Sequence, residues 1–115
     1  MTAEQLLEML LGIEGVEERK SRFSDNPALF VLDREIAHLE GDGVVDIRLT
    51  APLIRSRRGE FRQNPSVTLR ASSSADWLEL QVRNAGDERL CLELVTEAAR
   101  ANSTRSRSPR SRSPG

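Results

Sequence analysis

The 115-residue chain has few of the side chains that usually carry chemistry. It contains one cysteine, one histidine and one tryptophan, and it has no tyrosine. The single cysteine, Cys91, excludes an internal disulfide and any metal or redox site built on paired cysteines. The sequence also lacks a glycine-rich phosphate loop, a His-Glu-x-x-His zinc motif and a nucleophile elbow. These absences leave His38 as the centre of any acid–base chemistry, and they indicate no particular cofactor.

Long apolar runs are absent as well. No stretch approaches the ~18 apolar residues that a membrane-spanning helix needs. The first residues are acidic, and they lack the basic segment that precedes the apolar core of a signal peptide. A lone cysteine fits a reducing compartment. We therefore expect a cytoplasmic protein without a membrane partner.

Acidic residues are missing from the C-terminal segment. All 18 acidic residues precede Ala101, whereas four of the 17 basic residues follow it, so residues 1–100 carry a net charge of 13 − 18 = −5. An acidic body does not attract nucleic acid through its overall field. Residues 101–115 are rich in arginine, serine and proline and have no apolar pattern, which predicts a disordered tail. We expect nucleic-acid association only through this tail, because arginine-serine segments bind RNA.

The segment around the only histidine predicts a β-hairpin. Gly41-Asp42-Gly43 is a strong turn signal, because glycine adopts positive φ without steric cost. If all three residues form the loop, with the second glycine left-handed, His38 lies opposite Asp46 and Glu40 lies opposite Val44. Opposed residues share a face of the sheet. The apolar face then holds Ala37, Leu39, Val45, Ile47 and Leu49, and the polar face holds His38, Glu40, Asp46 and Arg48.

A two-residue loop is the alternative for this hairpin. If only Asp42-Gly43 forms the loop, His38 lies opposite Ile47, and both faces mix polar with apolar side chains. A slip of one residue moves every side chain to the other face, so burial of the apolar set selects the register. The sequence therefore favours the three-residue loop.

The rest of residues 1–100 predicts one α+β domain. Thr2 and Gln5 have capping-box spacing before a leucine-rich helix, and a second helix rich in leucine follows Asn84. A highly charged segment at 16–23, a compact apolar run at 28–32, a short segment at 67–70 and an alternating segment at 76–83 predict strands beside the hairpin. A short helix is predicted after Thr50, ending at Gly59, with a loop over 60–66. We expect an antiparallel sheet, a meander plus two further strands, covered on one face by the N- and C-terminal helices.

The polar face of the hairpin holds the candidate catalytic residues. His38 and Glu40, two apart on one strand, project from the same face, and Asp46 opposite can orient the imidazole. This arrangement suits a general base or a metal ligand with a supporting carboxylate, although it is also typical of a structural cross-strand pair. One histidine with carboxylates is an atypical zinc set, so no residue is assigned to a metal. Trp77 and Arg48 are candidate ligand-binding residues, since the indole can stack on a planar ligand or on a guanidinium.

Three landmarks together resemble a known family. They are the strand Glu35-Ile36-Ala37-His38, the Gly41 turn followed by Asp46, and the Trp77 strand before a C-terminal helix. The combination resembles the luciferase-domain, or luciferase-like, family of small proteins, over roughly the first hundred residues, the size of one compact domain. Many members have a second histidine two positions after the first, where this chain has Glu40. The resemblance implies a single domain and names no reaction.

Three functions are compatible with this sequence. The first is a binding or interaction module for a small molecule or a protein partner, using the sheet face around His38 and Trp77. The second is a small enzyme with His38 as general base or metal ligand, Asp46 orienting it and Glu40 assisting. The third is nucleic-acid association through residues 101–115.

Overall fold

The structure is a computed structural model that describes residues 1–22, 25–41 and 43–105, with the backbone alone at 104 and 105. Its elements in chain order are α1 (Ala3–Leu11), β1 (Val16–Lys20), β2 (Pro27–Val31), β3 (Arg34–Gly41), β4 (Val44–Arg48), α2 (Ala51–Ser56), α3 (Arg58–Arg62), β5 (Val67–Leu69), β6 (Trp77–Gln81) and α4 (Ala85–Arg105). Within these ranges, none of the helices combines the length and the apolar character needed to cross a bilayer. The cytoplasmic location stays a prediction.

The six strands form one antiparallel sheet in the order β1-β2-β3-β4-β6-β5. The first four strands are a meander, and β6 then pairs with β4 and places β5 at the edge. Helices α1 and α4 contact each other and cover the apolar face of the sheet. This confirms the predicted fold class. The core between sheet and helices includes Leu6, Leu10, Ala37, Leu39, Val45, Ile47, Leu49, Leu78, Leu80, Cys91 and Leu94.

The hairpin of β3 and β4 has the predicted register over most of its length. His38 pairs with Asp46, and the apolar residues on either side of it face the core. The prediction for Glu40 is wrong, because Gly41 pairs with Val44 and the register shifts between Leu39 and Gly41. This β-bulge adds one residue to β3, which makes the connection to β4 shorter than the predicted three-residue loop. The register that buries the apolar face is kept. The turn prediction for Asp42 lies outside the described residues.

A second bulge lies between β2 and β3. Leu29 pairs with Ala37, but Phe30 pairs with Glu35, so Ile36 is the extra residue on β3. Ile36 is fully buried in the core beside Ala37. Because the bulge reverses the alternation of side chains, Glu35 turns to the same face of the sheet as His38.

The connection between β4 and β5 differs from the prediction. Helix α2 begins after Thr50 as expected, but Thr50 has φ 85° and makes no side-chain cap. The Asp76 carboxylate caps the helix instead, accepting a hydrogen bond from the Ala51 N–H at 2.9 Å. The predicted loop at 60–66 begins as helix α3, which includes Gly59 and buries Phe61 to 1% exposure. Burial of the phenyl ring outweighs the low helix propensity of glycine.

The last helix is longer than predicted. It continues through Arg105, so the disorder predicted for residues 101–115 is wrong for 101–105. The reason is Asn102, which is fully buried and donates hydrogen bonds from Nδ2 to the carbonyl oxygens of Arg48 (3.1 Å) and Ala98 (2.7 Å). The tail prediction for residues 106–115 lies outside the described residues.

Candidate functional site

The centre of the polar face is the imidazole of His38. Its Nε2 lies 2.9 Å from Asp46 Oδ2, across the strand pair, and 2.7 Å from Glu40 Oε2 on its own strand. The His38 ring and the Asp46 carboxylate are buried, whereas the Glu40 side chain is 38% exposed. The structure therefore brings together all three residues named as candidate catalytic groups. Their catalytic role stays a prediction.

A third carboxylate, which the sequence reasoning missed, holds the other ring nitrogen. Glu35 Oε2 lies 3.0 Å from His38 Nδ1. The same oxygen accepts a hydrogen bond from Ser21 Oγ at 2.8 Å, and Oε1 accepts one from the Arg22 N–H at 2.9 Å. Strict alternation points Glu35 away from His38, so only the bulge at Ile36 explains this contact. The Glu-x-x-His spacing of Glu35 and His38 was the one feature of the sequence that could have indicated this contact.

These contacts assign the ring protons of His38. Glu35 already accepts hydrogen bonds from two donors, so it is an acceptor for the imidazole as well, and Nδ1 carries a proton. The other ring nitrogen, Nε2, faces Glu40 and Asp46. We call Glu35, His38, Glu40 and Asp46 the His38 cluster.

Asp46 has unused capacity for hydrogen bonding. Asp46 as a whole is 8% exposed, and its Oδ1 atom is buried without a hydrogen-bond partner among the described residues. The other oxygen, Oδ2, contacts His38 and lies 3.7 Å from Arg70 Nη2. A buried acceptor without a donor is costly, and natural structures keep few of them.

Trp77 packs against the His38 cluster. Its ring centroid is 5.2 Å from that of the His38 imidazole, and the ring planes are tilted by 44°. Arg48 is its partner in the β4–β6 register, and the Arg48 Nη2 lies 3.5 Å from Asp76 Oδ2. The two rings are therefore in contact on the polar face of the sheet, with His38 buried and Trp77 half-buried.

A groove opens beside this surface. Its volume is about 410 Å³, and the lining residues that bear on ligand chemistry are Arg22, Arg34, Glu35, Arg48, Trp77 and Asn102. Both predicted ligand-binding residues, Trp77 and Arg48, line it. His38 does not line it, but it contacts two residues that do, Glu35 and Trp77. We call this the arginine groove.

The arginine groove has an excess of positive groups. Three arginines line it against the two acids Asp33 and Glu35. Glu35 is buried and turned toward His38 and Ser21, and the exposed Asp33 carboxylate lies 3.3 Å from Arg19. Within the described part of the chain, Arg34 forms no ion pair. The acids that line the groove therefore do not fully neutralise its guanidinium groups, although Arg48 also pairs with Asp76 beside the groove.

Cys91 lies on the side of α4 that faces the core. It is fully buried, and burial raises the pKa of its thiol to about 12. A thiol reacts as the thiolate, so Cys91 is inert near neutral pH.

Comparison with models of known protein families identifies a family for this chain. The model of the family described as Luciferase domain matches residues 33–98. This span contains the whole His38 cluster, together with Arg34, Arg48 and Trp77 of the groove. No curated protein and no solved structure matches the chain.

Proposed function

Because the chain belongs to the luciferase-domain family, which is matched over the whole His38 cluster, we propose that it is a binding module of luciferase-like type for a small organic anion. The ligand lies in the arginine groove beside His38. The observation that carries this proposal is the convergence of three arginines and the only tryptophan on one groove of about 410 Å³. The volume lies in the range of small-molecule sites.

The chemistry of the lining residues supports an anion with a planar part. A guanidinium donates two parallel hydrogen bonds to a carboxylate or phosphate, and this pairing is roughly twice as strong as a neutral hydrogen bond. The Trp77 ring is half-buried, and an indole face offers stacking area to an unsaturated ligand. A ligand that combines both features uses Arg34, Arg48 and Trp77 together.

Benzoate and its neutral analogue benzamide test this proposal. Trp77 is the only tryptophan, so its fluorescence reports on the groove without interference from other indoles. We expect benzoate to change the fluorescence at lower concentration than benzamide. The Arg34→Gln variant should weaken benzoate binding about tenfold, which corresponds to one charge-assisted hydrogen-bond pair.

Arg62→Gln is the matched control, since this exposed arginine on α3 does not line the groove. Equal affinity for benzoate and benzamide would reject an anion site. Equal loss in the Arg34 and Arg62 variants would attribute binding to overall charge.

An enzymatic role is the second candidate. The observation in its favour is that Glu35 holds Nδ1 of His38, which fixes the orientation that a general base acting through Nε2 needs. Hydrolysis of p-nitrophenyl acetate near neutral pH tests it, because the chain has a single histidine. We expect the rate to fall in His38→Gln. A rate equal to that of the unaltered chain would exclude His38 as the base.

A further inference from the structure

The His38 cluster has the arrangement of a cation site. His38 Nε2 faces oxygen atoms of two carboxylates, Glu40 at 2.7 Å and Asp46 at 2.9 Å. Carboxylate oxygens and a ring lone pair are all acceptors, so a positive group has to lie between them. That group is either a proton, carried by Nε2 or by a carboxylate oxygen, or a metal ion.

The charge of the cluster favours a metal ion over a proton. Three carboxylates surround one imidazole, and the cation that the structure places at their edge is Arg70, half-exposed and 3.7 Å from Asp46. A single proton leaves much of this negative charge uncompensated, and burial makes uncompensated charge costly. A divalent ion at Nε2 neutralises more of it.

The buried Oδ1 of Asp46 is an independent indication. It lacks a hydrogen-bond partner among the described residues, although its residue is more than nine-tenths buried. A carboxylate that binds a metal uses this second oxygen directly or through a coordinated water.

A metal ion requires the cluster to widen slightly. Bonds of 2.0–2.2 Å from a tetrahedral ion place its ligand atoms about 3.4 Å apart. Ligand atoms of His38, Glu40 and Asp46 all lie within 4.8 Å of one another, and the distances from Nε2 to the two carboxylates, 2.7 and 2.9 Å, have to increase on coordination. Glu40 has the exposed and adjustable side chain of the three, so it can take up the small movement that coordination requires.

We propose that His38 Nε2, Glu40 and Asp46 bind one divalent transition-metal ion, with Glu35 as the partner that orients the imidazole. A carboxylate on the far nitrogen of a metal-binding histidine is the usual supporting contact. An imidazole with two carboxylates suits Zn²⁺ or Mn²⁺ better than Ca²⁺ or Mg²⁺. Three protein ligands leave a position for water or a ligand atom. This inference does not depend on the arginine groove.

Titration with ZnCl₂ tests the site on the full chain, without a histidine tag and after treatment with a chelator. We expect one Zn²⁺ per chain by calorimetry, and no comparable binding of MgCl₂. Glu40→Gln removes a ligand from an exposed side chain and should weaken Zn²⁺ binding at least about tenfold. Glu8→Gln on α1 removes an exposed carboxylate from the other side of the sheet and should leave the affinity unchanged.

Nitrogen-15 NMR of the imidazole separates this site from binding elsewhere, because His38 is the only histidine. Zn²⁺ should shift the Nε2 resonance and leave the proton on Nδ1. Failure to bind Zn²⁺ in stoichiometric amount would overturn the proposal. Equal affinity of the two glutamine variants, or a metal signal on Nδ1, would overturn it as well.

Discussion

At the scale of single residues, Glu35 decides how His38 is held. Its two oxygens accept three hydrogen bonds, from Ser21, from the backbone of Arg22 and from the imidazole. This carboxylate thus joins the segment after β1 to the centre of the polar face. The buried position of this carboxylate is tolerated because both of its oxygens accept hydrogen bonds.

Removing Glu35 should therefore destabilise the fold. In Glu35→Ala, three buried or half-buried donors lose their acceptor, and we expect the free energy of unfolding to fall by about 2–4 kcal/mol. Urea denaturation followed by Trp77 fluorescence measures this loss. Glu17→Ala, which removes an exposed carboxylate from β1, is the control and should change stability by less than about 1 kcal/mol. A similar small loss for Glu35→Ala would show that the Glu35 contacts are not stabilising.

At the scale of elements, the two bulges of β3 explain what simple alternation misses. One bulge turns Glu35 toward His38, and the other keeps the apolar register despite the short connection to β4. Within that connection, Gly43 has φ 80°, and a Cβ there would lie 2.8 Å from the carbonyl oxygen of Val82. Gly41 has φ 101° with open space around it.

Alanine substitutions of three glycines should therefore have different effects. Gly43→Ala adds a clash to an unfavourable φ and should cost more than about 2 kcal/mol, whereas Gly41→Ala adds only backbone strain and should cost about 1 kcal/mol. Gly59→Ala lies within α3 in open space and should stabilise the protein by about 0.5–1 kcal/mol. Thermal unfolding of the three variants gives the order of their stabilities. A Gly43 variant as stable as the Gly41 variant would contradict the close approach to Val82.

Helix α3 is a second element that depends on tertiary contacts. Arg57 lies over the Phe61 ring and pairs with Glu60, Glu93 and Glu97, which joins the start of α3 to α4. These carboxylates raise the pKa of Arg57, chiefly through the hydrogen bond with Glu60, so the guanidinium stays charged. A five-residue helix gains little from its own hydrogen bonds, and these contacts supply the stability it needs.

At the scale of the whole molecule, the C-terminal helix closes the structure against the sheet. Asn102 reaches the carbonyl of Arg48 at the end of β4, 54 positions earlier in the chain. The folded unit therefore extends past residue 100, where the composition of the sequence changes.

Two truncations separate the folded unit from the tail. A chain ending at Arg105 keeps every contact described above and should unfold at the same temperature as the full chain. A chain ending at Arg100 loses the buried Asn102 hydrogen bonds and should lose about 2 kcal/mol of stability. Retention on RNA at low salt, compared between the full chain and the chain ending at Arg105, tests nucleic-acid association through the tail. Retention by the chain ending at Arg105 would reject a role for residues 106–115.

The sequence by itself determined the antiparallel sheet, the two covering helices and the pairing of His38 with Asp46. These features depend on the periodic burial of apolar side chains. Local sequence patterns encode this burial, and a shift of the strand register by one residue would expose the apolar face. Only the tertiary structure decided that Glu35 joins the site, that Phe61 lies in a helix and that α4 continues to Arg105. Each of these three features depends on a contact with a residue distant in the chain or on one extra residue in a strand. The local alternation of polar and apolar residues does not indicate such contacts or extra residues.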